Sequence, residues 1–242
     1  MRVEIWSDIA CPWCYVGKAR FDKALAGFAH RDRIEVVHRS FELDPHRAKD
    51  DVQPVLTMLT RKYGMSEAQA QAGEDNLGAQ AAAEGLEYRT RGRDHGNTFD
   101  MHRLLHFAKA HGRQSELLDA LYRANFAEER SVFTEGPERL VDLAVGAGLD
   151  AEAARAVLAD PAAYADEVRA DEEEAARLGA TGVPFFVLDR KYGVSGAQPA
   201  EVFTQALTQA WADHTPLRLI DQGQRGGGAQ ACGPDGCAVP RD

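Results

Sequence analysis

Apolar and polar positions follow strand-like patterns near both ends of the chain. Residues 3–7 alternate between apolar and polar side chains, and residues 34–43 form a second run rich in β-branched and aromatic residues. Between these runs, residues 16–28 carry apolar side chains at helical spacing, with Phe21 and Phe28 on one face. This order predicts a β-α-β unit with two parallel strands joined by a right-handed crossover.

The middle of the chain has a different pattern. From about residue 50 to residue 178, Ala, Glu, Leu and Arg dominate and the spacing is helical. Strand patterns return at residues 183–188 and 192–195, which flank a short polar turn and predict a hairpin. A last helix is predicted from Pro199 to about Trp211.

The element order predicts an α/β protein in which both ends of the chain contribute to one sheet and a large all-helical insertion separates them. We place the sheet-bearing domain at residues 1–45 and 179–221, and the helical insertion at residues 46–178. Residues 222–242 are rich in Gly and poor in large apolar side chains, so a flexible C-terminal tail is predicted there.

Composition and charge narrow the functional classes. The chain has 242 residues, 44% of them hydrophobic, and a net charge of −10, which is typical of an ordinary globular protein. No basic stripe stands out except residues 89–93, which we interpret as a solvated loop, so no nucleic-acid partner is expected. No apolar stretch is long enough to span a bilayer and the N-terminus lacks a secretory pattern. We therefore predict a cytoplasmic protein without a membrane partner.

Two cysteines lie where the first strand ends and the first helix begins, in Cys11-Pro12-Trp13-Cys14. This spacing places both sulfurs on the first helical turn, where they can close a disulfide. The N-terminus of a helix carries partial positive charge and unpaired N–H groups, which stabilise a thiolate. We therefore expect Cys11 to be the exposed attacking thiolate and Cys14 the buried resolving thiol. Trp13 is either a packing residue or an apolar contact for substrate.

Other interpretations of this motif remain open. An isolated C-x-x-C pair also occurs as two small buried residues or as half of a zinc site. Together with Cys232 and Cys237, the pair could supply four thiolate ligands to zinc and make this an interaction protein. The position of the first pair at the start of a helix favours redox chemistry, so no metal is expected.

Pro184 opens the third strand-like segment, in Gly182-Val183-Pro184-Phe185. A proline at the start of a strand can be a simple edge feature. In a thioredoxin-like order of elements it is also a candidate for a cis peptide bond. That arrangement would place the loop beside the cysteine pair and present the Val183 backbone to an extended substrate chain.

These segments give the chain a resemblance to the FrnE-like branch of the DsbA family, in the thioredoxin superfamily. The resemblance extends over residues 6–14, 97–104, 181–186 and 194–198. It implies a thioredoxin fold with a helical insertion, a Cys11–Cys14 redox pair and a cis Pro184. Some relatives lack the cysteines and act as glutathione-dependent transferases or isomerases, which is the alternative function here. Because both cysteines are present, dithiol chemistry is favoured.

A second pair lies in the predicted tail, in Cys232-Gly233-Pro234-Asp235-Gly236-Cys237. The intervening residues favour a turn, so a small disulfide loop is geometrically reasonable. Closing so short a loop contributes only about 2 kcal/mol, in a segment that has no core to stabilise. Some FrnE-like proteins have a pair of this spacing, and we expect Cys232 and Cys237 to act as an auxiliary redox pair that exchanges with Cys11 and Cys14.

The sequence thus predicts a thiol–disulfide oxidoreductase or isomerase with protein or small-thiol substrates. Cys11, Cys14 and Pro184 are the expected catalytic residues, and Trp13 and Val183 the expected substrate contacts. No dissociable cofactor is expected, because the electrons reside in the protein's own sulfurs. The expected partners are protein disulfides or dithiols and a cellular thiol reductant or oxidant, and we predict a role under oxidative stress.

Overall fold

A computed structural model of the chain describes residues 1–214. The strands are β1 (Arg2–Ser7), β2 (Glu35–Ser40), β3 (Gln53–Pro54), β4 (Asp94–His95), β5 (Phe185–Leu188) and β6 (Tyr192–Ser195). The helices are α1 (Pro12–Ala26), α2 (Val55–Tyr63), α3 (Glu67–Ala83), α4 (Phe99–Ala110), α5 (Gln114–Phe126), α6 (Pro137–Gly146), α7 (Ala151–Ala159), α8 (Ala165–Arg177) and α9 (Ala200–Ala212). The predicted order of elements is confirmed, with the short β3–β4 pair as an addition inside the helical segment.

One four-stranded sheet contains strands from both ends of the chain, in the order β2-β1-β5-β6. β1 pairs with β2 in parallel and with β5 in antiparallel fashion, and β5 and β6 form the predicted antiparallel hairpin. The hairpin turn places Asp189 and Arg190 at φ 51° and 57°. Two consecutive residues with positive φ at the centre of a tight turn match the turn to the twist of the two strands that it joins.

Both faces of this sheet are covered. α1 and α9 pack on one face, where Val3 and Ile5 of β1 meet Phe21, Phe186 and Phe203 in a continuous apolar cluster. α8 packs on the other face around Trp6, whose indole N–H donates to the Asp171 carbonyl at 2.8 Å. Because β1 is buried from both sides, Glu4 and Trp6 are as inaccessible as Val3 and Ile5.

The acidic segment of α8 differs from a simple solvated helix face. Asp171 is buried, and its carboxylate accepts from the Arg39 guanidinium and the Ser40 backbone N–H, each at 2.9 Å. His106 Nε2 lies 3.1 Å from the same carboxylate. Asp171 is therefore not part of a solvated helix face, because β2 and α4 supply partners that compensate its burial.

The prediction of a solvated loop at residues 89–93 is wrong for Arg93. Arg93 is buried and forms an ion pair with Glu74 of α3, while Tyr88 shares the same carboxylate at 3.1 Å. This ion pair ties the loop to α3, so the loop belongs to the packed helical region.

The Cys11–Cys14 motif packs against that helical region. Cys11 and Cys14 share an apolar cluster with residues of α4, α5, α6 and α7, among them Leu104 and Tyr122. The helical segment thus forms one wall of the site, and the division into a sheet-bearing domain and an insertion stays a prediction of the sequence.

Candidate active site

Cys11 and Cys14 lie on the first turn of α1. Cys11 is the N-cap, with an extended backbone at φ −89° and ψ 111°, and Pro12 occupies the first helical position. The Cys11 carbonyl accepts from the Cys14 N–H at 3.0 Å, and the Cys11 N–H donates to the Asp8 carbonyl at 3.1 Å. A proline is tolerated at this position because its missing N–H would have no helical partner.

The two thiols differ in their access to solvent, but less than the sequence suggested. Cys11 is 6% exposed and Cys14 1% exposed, so the expectation of an exposed Cys11 is wrong. The cause is the inserted segment, which surrounds Cys11 with side chains from α2, α3, Arg93 and β4. Cys11 opens onto a cavity formed by this segment, whereas Cys14 lies behind it in the apolar cluster.

The Val183–Pro184 loop lies directly beside Cys11. The Cys11 Sγ is 3.7 Å from the Val183 carbonyl oxygen, and the Val183–Pro184 peptide bond is cis, as the resemblance implied. Gly17, one turn further along α1, leaves the space that the proline ring occupies: a Cβ at Gly17 would come within 2.9 Å of the Pro184 Cγ. The loop and the first two turns of α1 therefore form one packed unit.

Cys14 is held as a neutral thiol. Burial raises the pKa of Cys14 well above its usual value, and the adjacent Cys11 and the Asp8 charge raise it further. A backbone hydrogen bond from Asp8 acts in the opposite direction and does not offset them. Cys14 accordingly keeps its proton at neutral pH.

A buried carboxylate lies next to the redox pair. Asp8, 1% exposed, accepts from the backbone N–H of Leu43 at 2.8 Å and of Ala10 at 3.2 Å, and its Oδ1 lies 3.4 Å from the Nε2 of His102. Burial raises the pKa of Asp8, but His102 and the two N–H groups outweigh burial and lower it overall. Asp8 therefore stays ionised inside the protein, within three residues of Cys11.

The cavity in front of Cys11 has a volume of about 350 Å³. Its wall includes Cys11 and Trp13 from α1, and the apolar side chains of α2 and α3 line the opposite side. Trp13 is 39% exposed at the rim of the cavity, so its side chain is available to a bound group and is not packed into the protein core. A cavity of this size falls within the range of about 300–1,000 Å³ that is typical of ligand sites.

A family model for the DSBA-like thioredoxin domain matches residues 2–208, which include every element described above except the last four residues of α9. The chain belongs to this DSBA-like family. The predicted fold class, an α/β thioredoxin fold with a large helical insertion, is confirmed by the family match and by the sheet topology.

Three known proteins resemble this chain. A probable DsbA oxidoreductase from Streptomyces coelicolor is 81% identical, with a TM-score of 0.89 and full coverage of both chains. The uncharacterized protein YwbO from Bacillus subtilis (strain 168) is 27% identical over 209 residues, which cover 86% of this chain and 96% of that protein. The cytosolic disulfide reductase DsbM from Pseudomonas aeruginosa is 21% identical, with a TM-score of 0.60 over 88% of this chain and all of DsbM, and it shares the fold.

The structure brings together Cys11, Trp13, Cys14, Val183 and Pro184 at one site. Cys232 and Cys237 lie outside the described residues. Within residues 1–214, no group of three or more His, Cys, Asp or Glu side chains is arranged to hold a metal ion. No helix in the same part of the chain is long and apolar enough to cross a membrane.

Asp8 and His102 are not among the site residues that the sequence predicted. His102 is 1% exposed, and neither of its ring nitrogens makes a hydrogen bond of good geometry within the described residues. The sequence holds one local signal for Asp8, which is an acid three positions before Cys11 at the end of a buried strand. Its pairing with a residue almost a hundred positions away depends on how α4 packs against the sheet, which no local pattern specifies.

Proposed function

We propose that this protein is a thiol–disulfide oxidoreductase that acts on polypeptide disulfides through Cys11 and Cys14. The observation that carries the proposal is the asymmetry of the two thiols: Cys11 opens onto a cavity, and Cys14 is sealed behind it as a neutral thiol. The relative from Streptomyces coelicolor, a probable DsbA oxidoreductase, supports the same class of reaction. Val183, Pro184 and Trp13 would contact the substrate on either side of Cys11.

In the reducing direction, the Cys11 thiolate attacks one sulfur of a substrate disulfide. A Cys11–substrate mixed disulfide forms, the substrate S–S bond breaks, and the second substrate sulfur leaves as a thiolate that takes up a proton. Cys14 then attacks the Cys11 sulfur, loses its proton, and releases the first substrate sulfur as a thiol. The substrate gains two electrons and two protons, and the protein is left with a Cys11–Cys14 disulfide.

A second thiol couple must return the pair to its starting state. A cellular dithiol or thiol reductant would reduce the Cys11–Cys14 disulfide, and an oxidant would drive the same steps in reverse. When the mixed disulfide is attacked by another cysteine of the substrate, the result is isomerisation. We propose a cytoplasmic location, for which the cytosolic DsbM offers a precedent with the same fold. The FrnE-like assignment and the role under oxidative stress stay predictions.

Insulin reduction by dithiothreitol tests the activity. We expect turbidity to develop faster with the wild-type protein than with dithiothreitol alone, and this acceleration to vanish in Cys11→Ser. When reduced Cys14→Ser is mixed with insulin in the absence of dithiothreitol, the mixed disulfide has no resolving thiol and should accumulate on Cys11, where mass spectrometry of the intact protein detects it. A wild-type protein that fails to accelerate the reaction, under conditions where the folded state is verified, would contradict the proposal.

The same variants distinguish the two alternative functions from the proposed one. A glutathione-dependent transferase or isomerase needs no resolving thiol, so glutathione turnover that survives Cys14→Ser would support that function instead. Zinc bound at one equivalent per chain to an inactive protein would support the zinc-binding interaction protein.

We also propose that Cys232 and Cys237 exchange disulfides with the Cys11–Cys14 pair. The support is from the sequence alone: the pair has turn-forming residues between its cysteines and no evident structural purpose. The double variant Cys232→Ser/Cys237→Ser should turn over protein disulfides more slowly with a large reductant while Cys11 keeps its reactivity. Unchanged turnover with the variant would rule out the relay.

A further inference from the structure

An imidazole lies in the same cavity as the Cys11 thiol. His95 of β4 lines this cavity, and it is the one histidine among the described residues of the wall. Its backbone is held on one side by pairing with Gln53 of β3. On the other side Gly96 leaves no room for a shift, since a Cβ there would come within 2.7 Å of the Phe133 ring. The inserted segment therefore fixes the position of an imidazole in the cavity that Cys11 faces.

The two cations of the cavity wall are already paired. The Lys62 ammonium lies 2.9 Å from the Asp44 carboxylate, and the Arg93 guanidinium forms an ion pair with Glu74. Each of these groups is held in its charged form by its partner and does not exchange protons readily near neutral pH. An imidazole differs from them, because its ordinary pKa lies close to physiological pH. His95 is therefore the side chain of this wall that is suited to move protons.

The His95 imidazole is buried and lacks a good hydrogen bond. It is 7% exposed, and its Nε2 has no hydrogen-bond partner within the part of the chain that the structure describes. The Asp44 Oδ2 lies 3.6 Å from this nitrogen, which is too far for a hydrogen bond. Such long contacts are common for catalytic groups before a substrate binds. Because Asp44 faces Nε2, Nδ1 is the ring nitrogen that remains to accept a proton from a thiol.

The surroundings keep this imidazole neutral. Burial lowers the pKa of His95, and the positive charge of Arg47 lowers it further. Asp8 and Asp44 act in the opposite direction without offsetting these two effects, and Asp44 is itself paired with Lys62 of α2. A neutral imidazole can accept a proton at neutral pH, and its weak basicity allows it to release that proton again.

The exchange reaction creates a need for such a group in this cavity. Cys11 is 6% exposed, and the apolar side chains Met58, Leu59 and Leu77 contribute to the wall around it. A substrate sulfur that left as a thiolate would be poorly solvated here, because a charge in apolar surroundings is costly. A proton delivered to that sulfur while its bond breaks would avoid the buried charge.

We infer that His95 is a catalytic acid–base residue, which carries the proton of the Cys11 thiol to the leaving sulfur of the substrate. This inference rests on the proposed function and adds a residue to its mechanism. His95 Nδ1 takes the proton, and the resulting Cys11 thiolate attacks the substrate disulfide. The substrate S–S bond breaks, the Cys11–substrate S–S bond forms, and the imidazolium protonates the leaving sulfur. His95 is neutral at the start and at the end, and Asp44 is a positioning residue that orients its ring.

Disulfides with leaving groups of different acidity test this inference. One peptide cysteine is joined to an alkyl thiol, which needs a proton to leave, and in a second disulfide the same cysteine is joined to an aromatic thiol, which is stable as an anion. Release of each thiol is followed in a single turnover of the reduced full-length protein. His95→Gln should lower the rate with the alkyl thiol by about a hundredfold, and the rate with the aromatic thiol by about tenfold or less.

The pH dependence gives a readout that a structural role of His95 would not change. With the alkyl disulfide, the wild-type rate should be nearly constant between pH 6.5 and 8, because neutral His95 supplies the base. In His95→Gln the rate should rise with pH, by up to about tenfold per pH unit, because only the thiolate that forms without assistance then attacks. Imidazole added to His95→Ala should restore part of the lost rate.

His46→Gln is the matched control. His46 is an exposed histidine outside the cavity, so its substitution should leave both rates and their pH dependence unchanged. Circular dichroism and the unfolding midpoint establish that each variant is folded. The wild-type protein provides a test without any variant: its rates with the two leaving groups should differ by less than about tenfold, although exchange without proton delivery depends strongly on the acidity of the leaving thiol.

The failure of this inference is distinct from that of the proposed function. If neither disulfide reacts in a way that depends on Cys11, the proposed function fails and the inference fails with it. If the wild-type protein reacts but His95→Gln keeps both rates, the proposed function stands and proton transfer by His95 is refuted. Equal losses with the two leaving groups, together with a wild-type pH dependence, would assign His95 a structural role and refute it as well.

Discussion

Gly17 of α1 and Pro184 of the cis loop are in direct contact, with no room for a side chain between them. A Cβ at position 17 would lie 2.9 Å from the Pro184 Cγ and 3.3 Å from both the Cα and the Cβ of Ala197. These three atoms belong to a ring and to backbone-proximal positions, so they cannot rotate away as the end of a flexible side chain could. α1 and the Val183–Pro184 loop can therefore lie this close only because residue 17 has a hydrogen atom in place of a side chain.

Gly17→Ala should therefore move the Val183–Pro184 loop away from α1. We expect a loss of about 1–3 kcal/mol in the free energy of unfolding, as is typical of overpacking in a close-packed interior. We also expect a lower kcat/KM for peptide disulfides, because the Val183 carbonyl would no longer lie 3.7 Å from the Cys11 sulfur. Urea unfolding and peptide turnover measure the two effects.

Gly146→Ala is the control for this substitution. Gly146 ends α6, and a Cβ there would meet no atom within 4 Å. Since Ala favours helix more than Gly does, the free energy of unfolding should stay the same or rise by up to ~1 kcal/mol, with turnover unchanged. If Gly17→Ala behaved like Gly146→Ala in both measurements, the contact with Pro184 would not matter.

Arg103 of α4 is a second position where one side chain determines local packing. Its guanidinium is fully buried and donates to the carbonyl oxygens of Val157, Asp160 and Ala163 at 2.7, 2.6 and 3.0 Å, and to the Asp100 carboxylate at 2.8 Å. It thereby satisfies carbonyl groups at the end of α7 that would otherwise be buried without partners.

Arg103→Met should lower the free energy of unfolding by about 3–5 kcal/mol, because it leaves several buried carbonyl groups without their donor. Arg113→Met serves as the comparison: Arg113 and Glu116 form an ion pair whose side chains are 51% and 48% exposed. Exposed pairs of this kind contribute less than about 1 kcal/mol. Similar losses in the two variants, measured by urea unfolding, would contradict the role assigned to Arg103.

Much of the architecture could be predicted from the sequence because it depends on local patterns. The alternation in residues 3–7, the apolar spacing in residues 16–28 and the polar turn between the last strands specify elements that recur in the structure. The cysteine motif was also a local signal, since a strand end followed by a Pro-containing first helical turn fixes where both sulfurs lie.

The features that the sequence could not specify depend on contacts between distant segments. The acidic run at residues 171–174 does not indicate that Asp171 is buried; its burial depends on contacts with Arg39 and Ser40 of β2, some 130 positions earlier in the chain. Cys11 was expected to be exposed because the strand–helix junction alone would leave it so. It is buried because α2 and α3 lie over it, and nothing in their own periodicity indicates where they dock.

Low pH should reduce the free energy of unfolding, because His38 of β2 is buried as a neutral imidazole. Burial, and to a smaller extent the charge of Lys18, lower the pKa of His38 to about 3. In the unfolded chain a histidine has a pKa of about 6.5, so protons bind preferentially to the unfolded state between these two values. The stability that the neutral imidazole contributes is complete above about pH 6.5 and decreases by ~1.4 kcal/mol per pH unit as the pH falls towards 3.

His38→Gln should flatten this decline between pH 6.5 and 4.5, above the range in which most carboxylates titrate. His46→Gln replaces an exposed imidazole and should keep the wild-type dependence. Urea unfolding at half-unit pH intervals provides the comparison. If His38→Gln followed the wild-type slope over this range, His38 could not be the source of the acid sensitivity.

Alkaline pH should destabilise the reduced protein through Cys14. The pKa of Cys14 is raised well above its usual value, mainly by burial, whereas an unfolded cysteine ionises with a pKa of about 8.5. Raising the pH therefore removes protons from the unfolded chain first. The stability associated with the neutral buried thiol is fully present below about pH 8.5 and is lost above it, by ~1.4 kcal/mol per pH unit.

Cys14→Ala should remove this contribution, so that its free energy of unfolding between pH 8.5 and 9.5 falls less steeply than that of the wild-type protein. Both proteins are unfolded in urea with an excess of a phosphine reductant, which keeps the sulfurs as thiols throughout. Below pH 8 the two curves should be parallel, because there the thiol is neutral in the folded and the unfolded chain alike. Parallel curves up to pH 9.5 would mean that Cys14 ionises as easily in the folded protein as in the unfolded chain. Burial could then not be the reason why Cys14 stays a neutral thiol.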